Sequence, residues 1–473
     1  MHQLQAMWRE ARALAARGAF EEAATLHRKI LADKPDAVSS WRFLAAWAQE
    51  QGDFDASANA LSRCLALEPH SAEGWRSLGV VEMYRERWAE ALVAFKETLA
   101  LEPGGRANLI YLGAAAAKAN QPTLAADCLS MALQGLPRAD VEASDQRTEP
   151  VLQAALDNAI GILETHLSKL AGDEAGNLEG ARWRLHETRE PKWRHPDQRP
   201  ERFFLPALDP KPWFDAGDFP WAKSLGAAAA SIIEEVRREI RPEDTVPYIG
   251  GHTAESDDWK ALADKDIWRA VHLYRDGRAD GPMASRFPAT MEAMKSVPLY
   301  HGASGPPEVF FSLLAPGGHI PPHYGKSNAR LTVHLPLVVP EGQCSLCAGH
   351  QVRVLEAGRV AVFDDSFIHE ARNEADSVRI NLVFDVWHPA LSAEDISRLQ
   401  RMGARYEEWY RGRGRRMDFL GVPLAQAVQA QALYEQAEER LQAGGEAAPR
   451  LLRQILALNP NHKKASRYQN ALS

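Results

Sequence analysis

"RLTVHLPL", residues Arg330–Leu337, is the stretch from which the fold of the second half of the chain can be read. Leu331, Val333, Leu335 and Leu337 alternate with Arg330, Thr332 and His334, the period of two with which a strand sends apolar side chains to one face and polar ones to the other. "SVRINLVFD", residues 377–385, repeats the pattern, with Arg379 and Asn381 opposing Ile380, Leu382 and Phe384. Two strands that turn polar groups the same way predict a polar barrel interior. The neighbouring runs "EVFFSLLA" (308–315), "HQVRVLEA" (350–357) and "RVAVFDD" (359–365) are short, β-rich and separated by turn signals. Together they predict a sandwich or barrel of jelly-roll type, flanked by helices such as "WAKSLGAAAASIIEEVRREI".

Working outward, "HIPPHYGKSNA" (319–329) places His323 at the start of this region, with Gly325 where a His-x-Asp metal motif would carry its carboxylate. His369 lies past a strand and a tight "DDS" turn, 46 residues after His323, and Arg379 follows ten residues later. Two imidazoles and an arginine in this order are the parts of a non-haem iron oxygenase. Iron(II) there binds two imidazoles and usually one carboxylate on one face, with open positions for a chelating co-substrate and oxygen. A guanidinium suits the distal carboxylate of 2-oxoglutarate because its fork makes two parallel hydrogen bonds. Sixteen histidines occur, so no single one carries weight; the joint pattern singles out His323 and His369. His319 and His334 are read as supporting or simply hydrogen-bonding. Asp364 and Asp365, in the turn before His369, suit turn and hydrogen-bond roles better than metal ligation.

"PPHYGKSNARLTVHLPLVVPEGQC", "GRVAVFDDSFIHEARNEADSVRINLVFDVWHP" and "FFLPALDPKPWFD" resemble the aspartyl/asparaginyl β-hydroxylases over about residues 196–395. The resemblance implies Fe(II) held by His323 and His369 alone, with glycine, here Gly325, in the carboxylate's place. It implies Arg379 as the clamp on 2-oxoglutarate, Ser312 and His334 as further co-substrate contacts, and O2 as second co-substrate. An aspartate placed at position 325 is then expected either to complete a three-ligand site or to block the vacant coordination position. Mammalian members have an arginine that helps hold the co-substrate where this chain has Thr332, with Arg330 or a water to compensate.

The first third is organised differently. Pro35, Pro69, Pro103 and Pro137 recur every 34 residues, as do Trp41 and Trp75, Phe20, Phe54 and Trp88, and the small residues Ala23, Ser57, Ala91 and Ala125. That period belongs to a helix-turn-helix repeat, in which proline ends each second helix and small residues let paired helices approach. These residues resemble the tetratricopeptide repeat, which implies a superhelix whose groove binds peptides or proteins; packing alone is the competing reading. "LLRQILALNPNHKKAS" puts Pro460 where the repeat proline belongs and predicts one more repeat-like hairpin at the end.

The expected organisation is multidomain: an all-α tetratricopeptide-repeat superhelix over 1–137, and a helical linker and lead-in segment over 138–195. A double-stranded β-helix (jelly-roll, cupin-like) oxygenase domain over 196–395 and a C-terminal helical region over 396–473 follow. A net charge of −8 without a long basic run argues against nucleic acid as the main partner. No run of 18 uncharged apolar residues predicts a membrane span, and the expected location is cytoplasmic. Four cysteines are too few for a disulfide scaffold, and Cys344 and Cys347 lack the second pair of a zinc site, so they read as packing residues or a hairpin pair. The function expected is hydroxylation of the β-carbon of an aspartyl or asparaginyl residue in a peptide or protein recruited by the repeats. The alternatives are the same chemistry on a small or lipid-linked substrate, and a non-catalytic interaction protein.

Overall fold

The computed structural model describes residues 2–133, 150–172, 174, 178, 181–183, 193–249, 262–263, 265–275, 277–341, 344–442 and 448–472. Two compact units emerge, one from the described residues of Met1–Gln134, Ala139–His166 and Tyr410–Ser473, the other from those of Leu167–Trp409.

The first unit opens with eight helices: α1 (His2–Ala16), α2 (Phe20–Asp33), α3 (Val38–Glu50), α4 (Phe54–Leu67), α5 (Ala72–Tyr84), α6 (Trp88–Leu101), α7 (Arg106–Lys118) and α8 (Pro122–Ala132). The 34-residue period is visible in their bonds. Trp41 Nε1 donates to the Pro35 carbonyl at 2.8 Å and Trp75 Nε1 to that of Pro69 at 2.9 Å. Arg42 pairs with Glu68 and Arg76 with Glu102, each across the same step of the repeat. Ala23, Ser57, Ala91 and Ala125 are fully buried, as close helix packing demands. Pro137 lies outside the described residues. The helix α9 (Pro150–Ala171) follows, and the chain's end adds α14 (Leu424–Gln442), α15 (Ala448–Leu458) and α16 (Lys463–Leu472). Met417, Leu420, Leu424 and Ala427 from this end share one core with Phe95, Leu109 and Leu112.

The second unit is built on two antiparallel sheets. The strands are β1 (Arg182–Trp183), β2 (Phe203–Phe204), β3 (Trp213–Phe214), β4 (Val246–Pro247), β5 (Trp268–Arg275), β6 (Arg278–Ala279), β7 (Val309–Leu314), β8 (His319–His323), β9 (Arg330–Val338), β10 (Cys344–Ala348), β11 (Gln351–Val354), β12 (Ala361–Phe363), β13 (His369–Asn373) and β14 (Arg379–Trp387). The larger sheet runs β3-β12-β9-β14-β7-β5-β4 with β6 beside β5, and the smaller runs β11-β10-β13-β8. This is the double-stranded β-helix expected, with helices α10 (Pro220–Glu239), α11 (Gly281–Ala284), α12 (Pro288–Met294) and α13 (Ala393–Gly412) around it.

The alternation in β9 and β14 decides what lies where. Leu331, Val333, Leu335, Leu382 and Phe384 pack with Leu225 and Ile232 of α10 in one core. Trp268, Leu314, Phe363, Leu346 and Ala371, drawn from both sheets, form a second core between them. Arg330, Thr332 and His334 are buried as well, so the polar face of β9 does not meet bulk water. A strand with both faces buried and three hydrogen-bonding groups on one of them encloses a polar interior. Cys344 and Cys347 are free thiols, Cys344 buried with Sγ 3.2 Å from Asn373 Oδ1. Three positions apart on one strand, they point to opposite faces and serve as packing residues. Among the described residues no helix is long and apolar enough to cross a membrane.

Candidate active site

The two histidines are brought together by strand pairing. His369 opposes His323 across the β13–β8 ladder, and their ring centroids lie 3.9 Å apart. β8 is an edge strand, which is where Pro321 and Pro322 can sit without breaking a ladder. The register shifts between His369 and Ala371, a bulge that aims the His323 ring at its partner. Both rings are tethered alike: His323 Nδ1 lies 2.8 Å from the Pro321 carbonyl and His369 Nδ1 2.9 Å from that of Phe367. A carbonyl only accepts, so each Nδ1 carries the proton and each Nε2 keeps its lone pair. Burial lowers the pKa of His323 to about 3 and that of His369 to about 4, which keeps both neutral at ordinary pH. Two neutral imidazoles with Nε2 lone pairs side by side fit a divalent metal. No group of three or more His, Cys, Asp or Glu with metal-site geometry occurs among the described residues.

Gly325 owes its identity to Asp365. The Gly325 amide donates to the Asp365 carbonyl at 2.6 Å, and a Cβ on Gly325 would fall 2.1 Å from the Asp365 carboxyl carbon. The space a side chain at 325 would need is already filled by a carboxyl group from another turn. Of the two outcomes expected of an aspartate at 325, this crowding opposes completion of a three-ligand site. Asp365 Oδ2 in turn accepts from Arg330 at 2.8 Å, whose other amino group meets Asp385 at 2.5 Å, while Thr332 donates to Asp385 at 2.8 Å. Burial works against the Arg330 charge, yet Asp365 and Asp385 outweigh it and raise its pKa above the ordinary value. Arg330 is thus committed to two carboxylates.

The remaining expected residues line the same interior. Arg379 is fully buried, and none of its three guanidinium nitrogens has a hydrogen-bond partner among the described residues. Desolvation pulls its pKa down to about 10, so it stays cationic at neutral pH. Arg379 makes no salt bridge with Asp385, which pairs with Arg330 and Thr332. Ser312, opposite Asn381 in the ladder, accepts from Trp268 Nε1 at 3.0 Å, which leaves its own hydroxyl proton to donate. His334 packs 5.6 Å from the Phe363 ring, which also sits 5.4 Å from His369. An unpaired buried cation is costly unless an anion completes it, and Arg379 beside a hydroxyl and an imidazole fits a carboxylate. His319 stands apart, half exposed and 2.7 Å from Glu370.

Sequence patterning missed the brace that holds the histidine turns. Arg199 donates to the Ser366 carbonyl, Glu201 to that of Gly325, and Phe203 to that of Lys326. Gln198 reaches Asp364 at 2.8 Å, and Ser366 donates to the same carboxylate. The lead-in segment therefore stitches the loop after His323 to the turn before His369; the sequence signal was only an extended, proline-rich stretch.

Residues 230–389 match the family described as aspartyl/asparaginyl beta-hydroxylase. The Homo sapiens aspartyl/asparaginyl beta-hydroxylase is 34% identical over 133 residues, 28% of this chain and 17% of that protein. The Rhizobium tropici ornithine lipid ester-linked acyl 2-hydroxylase is 29% identical over 183 residues, 38% of this chain and 62% of that one. Aspartate beta-hydroxylase domain-containing protein 2 of Homo sapiens is 29% identical over 203 residues, 42% of this chain and 53% of that one. The chain thus spans less than two thirds of the length of each of these relatives. The second unit is a double-stranded β-helix domain, and its residues 230–389 are similar to the aspartyl/asparaginyl β-hydroxylase family.

Proposed function

We propose that the chain is an Fe(II)- and 2-oxoglutarate-dependent dioxygenase that hydroxylates the β-carbon of an aspartyl or asparaginyl residue in a peptide or protein, with release of succinate and CO2. The observation that carries the reading is the buried, unpaired guanidinium of Arg379 in the interior that also holds the His323–His369 pair. His323 and His369 would hold the iron through Nε2. Arg379 would bind the distal carboxylate of 2-oxoglutarate, with Ser312 and His334 as further donors. The iron with its co-substrate would supply the oxidising power that inserts one oxygen atom into a C–H bond. Phe363 and the walls of the inter-sheet core would exclude water, and Arg330 would hold Asp365 beside the metal position. The helical repeats of the first unit would recruit the peptide.

A second reading, the same chemistry on a lipid-linked substrate, is favoured by the likeness to the Rhizobium acyl hydroxylase. The test is succinate formation by the full chain with iron(II), 2-oxoglutarate and oxygen, against peptides containing Asp or Asn and against acylated amino-acid lipids. A mass gain of one oxygen on a peptide supports the first reading and on a lipid the second. No succinate above the iron-free control with any substrate overturns both.

A further inference from the structure

We propose that Asn381 is a positioning residue that locks His334 in the tautomer bearing its proton on Nε2, so that the ring presents a hydrogen-bond donor to a carboxylate held by Arg379. The inference rests on the hydroxylase reading for the identity of that carboxylate, and on geometry for the rest. Asn381 Nδ2 lies 2.9 Å from His334 Nδ1, with both side chains buried. An amide nitrogen can only donate, so Nδ1 must accept and the proton of the neutral ring resides on Nε2.

The backbone explains why the two meet. Asn381 opposes Pro336 of β9 on one side and Ser312 of β7 on the other. The β14–β9 register shifts between Ile380 and Asn381, where Pro336 has no N–H to give the ladder. The Asn381 side chain is thereby set between Ser312 and His334, on the same strand as Arg379 and two positions from it. Among the described residues His334 Nε2 has no protein partner.

The lock has a chemical purpose in a desolvated pocket. With the opposite tautomer, His334 would point a lone pair at the carboxylate, and repulsion would replace a hydrogen bond. A free histidine exchanges between tautomers; Asn381 removes that freedom before the ligand arrives. Arg330, the cation on the polar face of β9, is bound to Asp365 and Asp385 and gives no substitute donor.

The test reads the tautomer and the affinity separately in the full chain. Nitrogen-15 NMR of labelled histidine should show His334 with a bare Nδ1 and a protonated Nε2 in the wild type, and a tautomer mixture in Asn381→Leu. Binding of 2-oxoglutarate, measured by calorimetry with manganese(II) in place of iron, should weaken about tenfold in Asn381→Leu, about 1.4 kcal/mol. In a His334→Phe background the same substitution should change affinity by less than about twofold, because its effect runs through the ring. An Nδ1-protonated His334 in the wild type, or equal weakening in both backgrounds, overturns the proposal. If the wild type binds no 2-oxoglutarate, the hydroxylase reading falls, while the nitrogen spectrum still decides the tautomer.

Discussion

His323 and His369 face each other across a β ladder, and each ring is held by a hydrogen bond from Nδ1 to the carbonyl two residues before it. The symmetry of this tether makes the pair a preformed metal site: neither ring has to turn or change its protonation to offer Nε2.

With only two protein ligands, loss of either should be decisive. His323→Ala or His369→Ala should abolish stoichiometric iron(II) binding while the melting temperature falls by only a few degrees, since the tether carbonyls sit at the rim of the small sheet. Metal analysis by mass spectrometry checks it, and unchanged iron in both variants would remove the site.

Among the described residues Arg379 has no hydrogen-bond partner, and this gives its replacement an unusual profile. Arg379→Met should raise the 2-oxoglutarate needed for half-maximal activity roughly thirty- to a hundredfold, from loss of about 2–3 kcal/mol of charge-assisted bonding. Melting temperature without co-substrate should hold or rise, because a buried unpaired charge is relieved. A variant that melts lower with an unchanged titration would mean a purely structural arginine.

Gly325 is required by space. Its φ is not positive, so the constraint is the Asp365 carboxyl and not the backbone. Gly325→Ala should displace Asp365 from Arg330 and cost about 2–4 kcal/mol. Gly325→Asp should lose as much stability and gain no iron affinity. An iron titration alongside a thermal melt decides; tighter iron with an intact melt would show that Asp365 yields its place.

The alternation of Arg330–Leu337 was enough to place a polar interior and an apolar core, because period two is a local property. The histidines and Arg379 were legible from their order and spacing, with His323 closing one strand and His369 and Arg379 each opening another. What could not be read were the partnerships across long separations. That Asp385 pairs with Arg330 and not with Arg379 depends on which of these two cations lies nearer in the folded sheet. Likewise the clash that reserves Gly325 comes from a residue forty positions later, a closeness set by the β13–β8 bulge.

Acid should destabilise the fold through histidines buried in the neutral form. Burial lowers His334 to about 3 and His388, packed 5.3 Å from the Phe214 ring, to about 4. Unfolded histidine takes its proton near 6.5 while these two refuse it, so stability is full above about pH 6.5 and falls as pH drops toward the folded values. Between about pH 6.5 and 5 each contributes a loss of at most about 2 kcal/mol. Urea midpoints should fall over that range, and His388→Phe should flatten the slope; an equal slope would mean the ring is protonated within the fold.

The first unit depends on one buried ion pair. Asp127 is fully buried and receives both Arg416 Nε and an Arg416 amino group at 2.7 Å, a two-pronged contact between α8 and the segment that carries Met417 and Leu420 into the repeat core. Removing Arg416 takes two charge-assisted hydrogen bonds from a buried carboxylate, which costs about 1.5–3 kcal/mol, whereas removing both charges together is nearly neutral. Arg416→Met should therefore lower the melting transition of this unit by several degrees, and Asp127→Leu combined with Arg416→Met should recover most of the loss. Limited proteolysis should find the 410–430 segment cleaved faster in the single variant and protected again in the double. If the double variant loses the sum of what the Arg416→Met and Asp127→Leu single variants lose, the coupling between Asp127 and Arg416 is zero, and shape and not charge pairing holds the segment to the repeats.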